Sequence, residues 1–170
     1  PRLLPTFPAG LSDYALKTLT RVGVEVRTET LVTKCDADGV GLKDGRIDAG
    51  TVIWAAGVTA SPAMRWLDAE GDRAGRVKVN SDLSLPGHPE IFVVGDTAAV
   101  TDKNGHPVPG IAPAAKQMGT YVGKLISARI AGREWNKPFK YMHLGDLATI
   151  GRRAAVVKFG PLELKGFIGW

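Results

Sequence analysis

Residues 91–96, Ile-Phe-Val-Val-Gly-Asp, constrain the fold more than any other part of this chain. Four consecutive apolar residues, three of them β-branched, have the pattern of a buried parallel strand. Gly95 permits a tight turn against a neighbouring group. Asp96 then sets a carboxylate at the strand's carboxyl end, where open α/β sheets bind ligands. A carboxylate there either caps a following helix or accepts hydrogen bonds from sugar-like hydroxyls. The segments on both sides favour the second role.

Residues 51–57, Thr-Val-Ile-Trp-Ala-Ala-Gly, form a second apolar run that ends in small side chains. Ala55, Ala56 and Gly57 at a strand end permit the close approach of a flat ligand or another backbone. After Asp96, Pro109 and Gly110 introduce a long helix from about residue 112 to 131, with Pro113 suited to its first turn. A helix start offers unpaired N–H groups and positive dipole character. Two strand ends and one helix start are the parts of a dinucleotide site, although no GxGxxG fingerprint occurs anywhere in the chain.

The rest of the pattern is α/β with additions. Ser12 is placed to cap a helix over residues 13–21, with Tyr14, Leu16, Leu19 and Val22 as its apolar face and Gly23 as its stop. A short strand is expected at 24–26. The Asp38-Gly39 and Asp44-Gly45 pairs predict tight turns in a three-stranded antiparallel meander over 30–47. A short helix is expected over 62–67, a short strand over 77–79, and a loop over 85–89. Residues 141–164 alternate short strands and turns, which predicts a β-rich C-terminal appendage.

Composition narrows the function. The net charge of +5 suits anionic partners, but the basic residues are scattered and form no nucleic-acid stripe. Cys35 is the sole cysteine, which excludes an internal disulfide or a thiolate-rich metal site, and it is expected to be a buried structural thiol. His88, His106 and His143 are dispersed, so no metal site is expected. No apolar run approaches the roughly 18 residues of a membrane span. Arg152 and Arg153 are read as a solvent-facing pair on a strand turn.

The order WAAG, PEIFVVGD, PGIAPAAKQMGTYV and LGDLATIGRRAAV resembles the C-terminal portion of type II NADH dehydrogenases. These are FAD-dependent NADH:quinone oxidoreductases of the two-dinucleotide-fold flavoprotein superfamily, bound peripherally to membranes. The resemblance implies a partial two-dinucleotide-binding fold. Residues 1–60 would be the second half of an NADH-binding domain, 61–135 the C-terminal part of an FAD-binding domain, and 136–170 a β-rich segment leading to a membrane-binding region.

The same resemblance assigns residues. Asp96 would bind the ribityl hydroxyls of FAD, and Gly95 would let the backbone approach it. Ile111 and Ala112 would face the isoalloxazine ring. Ala55, Ala56 and Gly57 would approach the nicotinamide of NADH. The family's quinone-site helix reads Ala-Gln-x-Ala-x-Gln; here Ala112, Ala115 and Gln117 match, and Pro113 occupies the first Gln position. Gln117 is therefore the candidate quinone-site residue.

Both ends read as cut edges of a longer protein, with the glycine-rich fingerprints expected before residue 1. The fragment alone is then expected to be inactive and to lack native affinity for FAD and NADH. Uncovered sheet edges would favour homodimerisation or strand exchange. The implied location is the cytoplasmic side of a bacterial inner membrane. The competing readings are a soluble FAD-dependent NADH oxidase or pyridine nucleotide-disulfide oxidoreductase, and a non-catalytic α/β binding module.

Overall fold

A computed structural model describes residues 2–170 of the chain. Its elements begin with α1 (Ala9–Arg21), β1 (Val32–Asp36), β2 (Gly39–Leu42), β3 (Gly45–Asp48) and α2 (Ala63–Trp66). They continue with β4 (Val77–Lys78), β5 (Ser84–Leu85), β6 (His88–Phe92), β7 (Ala98–Ala99) and α3 (Ala112–Ile130). The last three are β8 (Asp146–Thr149), β9 (Ala155–Phe159) and β10 (Leu162–Gly166). Two compact units result: the residues up to Ala56 with Leu144–Trp170, and Gly57–His143.

In the first unit, β1, β2 and β3 form the expected antiparallel meander, turning at both Asp-Gly pairs. The C-terminal strands form a second antiparallel sheet in the order β10-β9-β8. α1 packs on that sheet through Leu11 and Ala15, which share a core with Phe7, Ile150, Ala154 and Val156. Burying such side chains contributes about 1.5–3 kcal/mol for each large one.

α1 starts four residues before the expected position. Pro8, at φ −52°, occupies the N-cap, and its carbonyl accepts the N–H groups of Leu11 and Ser12. Ser12 is buried, and its hydroxyl donates to the Leu4 carbonyl at 3.2 Å instead of capping the helix. The buried face centres on Leu11, Ser12, Ala15 and Thr18; of the expected apolar face Tyr14 and Leu19 pack against this core, while Leu16 and Val22 are exposed.

Two expected strands are absent from this unit. Residues 24–26 and 51–57 pair with no other described segment, and Ile53 is 85% exposed. Apolar sequence favours an extended backbone, but a strand also needs a ladder partner. Cys35 is exposed on β1, contrary to the expected burial, because its face of the meander lacks a covering layer among the described residues. Arg152 and Arg153 are exposed on the β8–β9 turn.

The second unit is organised around α3. Its buried stripe, Ala114, Met118, Val122, Leu125 and Ala128, repeats at three- and four-residue intervals, as one face of a helix requires. Leu83, Leu85, Val77, Val93, Ala98 and Val108 complete the core. Residues 91–94 do not form the expected parallel strand. β6 covers His88–Phe92 and pairs antiparallel with β5 around Pro86-Gly87, where a loop was expected. The one parallel pairing among the described strands is instead β4 with β7. Pro86-Gly87 is turn chemistry that favours the local hairpin, and no described strand lies parallel to Ile91–Val94.

Candidate functional site

β6 delivers the chain through buried Val93 into a single 3-10 turn, Gly95–Thr97, which packs on α3. Gly95 has φ +69°, a left-handed conformation that a side chain disfavours. A Cβ added there would meet the Ala115 Cβ at 3.4 Å. The Gly95 N–H donates to the Met118 thioether sulfur, with nitrogen and sulfur 3.1 Å apart. Thr97 exchanges a hydroxyl hydrogen bond with Ser61 at 3.2 Å.

This mounting presents Asp96 at the surface. A Cβ on Gly110 would lie 3.5 Å from the Asp96 carboxylate, so the absence of a side chain there keeps the space beside it open. Among the described residues, no group donates a hydrogen bond to that carboxylate, which leaves its acceptor sites for a ligand or water. Ile111 and Ala112 follow Gly110 directly. Ile111 is the N-cap of α3, no side chain caps this end, and Pro113 sits in the first turn. The positive end of the α3 dipole therefore opens beside Asp96 without a competing anionic cap.

Gln117 lies further along α3. Its Nε2 donates to the Met142 carbonyl, and its Oε1 accepts the Met142 N–H, both at 2.9 Å. Two more bonds hold the extended strap, residues 137–142, to which Met142 belongs: Tyr121 Oη donates to the Lys137 carbonyl at 2.6 Å, and Phe139 N–H donates to the Ser81 carbonyl at 2.7 Å. Burial pushes the Tyr121 hydroxyl above its ordinary pKa. The strap runs along α3, with the Phe139 ring edge-on to Tyr121 at 5.6 Å.

Fixed charge in this unit serves its loops. Burial raises the Asp72 pKa, but the Arg76 backbone N–H and guanidinium and the Ala74 N–H more than reverse this, leaving it below the usual carboxylate range. Backbone N–H groups of His106 and Asn104 likewise lower Asp102. Among the described residues no cluster of His, Cys, Asp and Glu is placed to hold a metal ion, and no helix is long and apolar enough to cross a membrane.

The structure brings Gly95 and Asp96 against Gly110 and the start of α3, to which Ile111 and Ala112 belong. Ala55 and Ala56 lie exposed at the end of the first unit's N-terminal segment, and Gly57 opens the second unit. The sequence offers Gly110 only as the lead-in to α3 and assigns no site role to Met118 or Met142. The spacing of Ala114, Met118 and Val122 marks Met118 as inward-facing. Nothing in that pattern shows that its sulfur takes a backbone hydrogen bond from 23 residues away.

A glycine turn thus presents a carboxylate beside a helix start. The sequence profile of the pyridine nucleotide-disulphide oxidoreductase family matches residues 1–119, and the chain belongs to that family. Within it, the chain is 42% identical over 181 residues to the type II NADH:quinone oxidoreductase Ndh of Mycobacterium tuberculosis, an alignment covering all of this chain and 38% of that protein. It is 34% identical over 161 residues to the type II NADH:quinone oxidoreductase of Staphylococcus aureus (strain NCTC 8325 / PS 47), covering 92% of this chain and 40% of that one. The chain thus spans about two fifths of the length of these curated relatives.

Solved structures share the fold. NDH2 of Plasmodium falciparum in complex with NADH matches with a TM-score of 0.83 at 19% identity, over 98% of this chain and 50% of that one. An FAD-dependent pyridine nucleotide-disulphide oxidoreductase from Desulfovibrio vulgaris matches with a TM-score of 0.69 at 21% identity, over 88% and 38%.

Proposed function

We propose that this chain supplies one part of a flavoprotein that takes a hydride from NADH onto FAD and passes electrons on to a quinone. The activity belongs to a polypeptide of the relatives' length; this chain alone is inactive. The observation that carries the reading is the Asp96 carboxylate, exposed beside Gly110 and the α3 start, with no donor among the described residues. Sugar hydroxyls are donors, and a carboxylate held on a fixed turn is the matching acceptor.

FAD is the cofactor in this reading. Asp96 accepts the ribityl hydroxyls of FAD, and the lack of a side chain at Gly95 and Gly110 leaves room for the chain of the cofactor. Ile111, Ala112 and the first turn of α3 face the isoalloxazine ring, where the helix dipole favours negative charge. Ala55, Ala56 and Gly57 lie against the nicotinamide of NADH. Bound FAD supplies hydride acceptance and electron transfer, and the protein supplies position and electrostatics.

Gln117 serves the quinone. Its amide retains a second N–H and a second lone pair beyond those used on Met142, enough to donate to a quinone carbonyl. Pro113 in place of a second amide narrows the polar contacts such a site can offer. Peripheral attachment to the cytoplasmic face of a bacterial membrane and self-association belong to the same reading.

The test is NADH oxidation by a polypeptide of the relatives' length carrying this sequence, with a short-chain quinone and oxygen supplied separately as acceptors. Quinone-dependent turnover is expected. Turnover with oxygen alone would favour an NADH oxidase and contradict the quinone assignment.

A further inference from the structure

We infer that Met118 is a positioning residue for the flavin site and acts through the Gly95–Asp96 turn; this rests on the reading of Asp96 as a flavin ligand. Met118 is 2% exposed, within the core stripe of α3, yet its sulfur spends its acceptor capacity on the Gly95 N–H at 3.1 Å. An apolar side chain of the same volume would fill the core equally well and leave that N–H without an acceptor.

The geometry makes this bond matter to Asp96. Gly95 sits at φ +69°, which glycine adopts without strain, so tertiary contacts rather than backbone preference fix where the turn lies. Three points do so. Met118 fixes the entering N–H, and Ser61 holds the Thr97 hydroxyl on the far side at 3.2 Å. Ala115 closes the space against the Gly95 α-carbon. Asp96 lies between the first two of these, so a shift of the Gly95 peptide re-aims its carboxylate away from Gly110. Met118 never touches the cofactor in this arrangement. It sets the direction of the residue that does.

A double-mutant cycle separates positioning from packing. FAD affinity is measured by fluorescence on release, in a polypeptide of the relatives' length, for Met118→Leu, Asp96→Ala and the pair. Met118→Gln is included because its amide oxygen restores an acceptor. Met118→Leu is expected to weaken FAD binding about three- to tenfold in the unaltered protein. In the Asp96→Ala background it is expected to do nothing further, and Met118→Gln should recover at least half of the loss. Equal weakening by Met118→Leu in both backgrounds, or in neither, would overturn the positioning role while leaving the flavin reading intact. If Asp96→Ala itself leaves FAD affinity unchanged, the flavin reading fails and the inference with it.

Discussion

The side-chain amide of Gln117 pairs with the backbone of Met142 as a second backbone would, donating to its carbonyl and accepting its N–H at 2.9 Å each. One helical residue thereby satisfies both polar groups of an extended residue 25 positions later. The strap is fastened to α3 without any sheet.

Gln117→Leu removes both bonds while keeping most of the side-chain volume. The expected loss of stability is about 1–2 kcal/mol, from two hydrogen bonds of ordinary net worth. Amide hydrogen exchange checks it at the residue concerned: the Met142 N–H should exchange faster, with exchange in the α3 core little changed. Unaltered exchange at Met142 would show that the pair is not formed in solution.

Asp72 makes stability depend on acid pH. Its folded pKa lies below its unfolded value, so its contribution is fully present above about pH 4 and is lost as pH falls through the folded value. Thermal unfolding followed from pH 6 downward should show a decline that Asp72→Asn makes shallower, the two proteins converging in stability at the acid end. A variant that declines as steeply as the parent would remove Asp72 from the account.

The first hairpin of the meander depends on Gly39. This residue has φ +145°, and a Cβ would be driven into the Ile47 carbonyl oxygen and come within 2.9 Å of the Ala49 nitrogen. Gly39→Ala should cost about 2–3 kcal/mol, strain and clash together. Gly45 has nearly the same φ, +144°, but nothing within 4 Å of its added Cβ. Gly45→Ala should therefore cost measurably less in denaturant unfolding, and equal losses would show that the contact with Ile47 and Ala49 adds nothing.

Those same Asp-Gly pairs explain what was legible in the sequence. Turns at Asp38-Gly39 and Asp44-Gly45, and the start of α3 at Pro113, are set by local backbone chemistry, so they could be read residue by residue. The apolar run 51–57 forms no strand, and of 91–94 only Ile91 and Phe92 are strand, in antiparallel β6 rather than in the expected parallel pairing. Their side chains report apolar surface, whereas pairing is decided by whatever segment lies alongside. α1 was placed late for a related reason: Ser12 has the chemistry of a cap, but Pro8 supplies the geometry and the Leu4 carbonyl claims the hydroxyl. At the site, Asp96 stood out because its carboxylate follows an apolar run and a glycine. The contacts of Met118 with Gly95 and of Gly110 with Asp96 join segments far apart in the chain, so no local pattern shows them.

The central claim is that Asp96 holds the flavin. The most direct measurement is the flavin content, by absorbance after purification, of a polypeptide of the relatives' length, compared with its Asp96→Ala variant. The account predicts a flavin-loaded protein and a variant that retains its fold by circular dichroism but loses most of its flavin. A variant as fully loaded as the parent would contradict it.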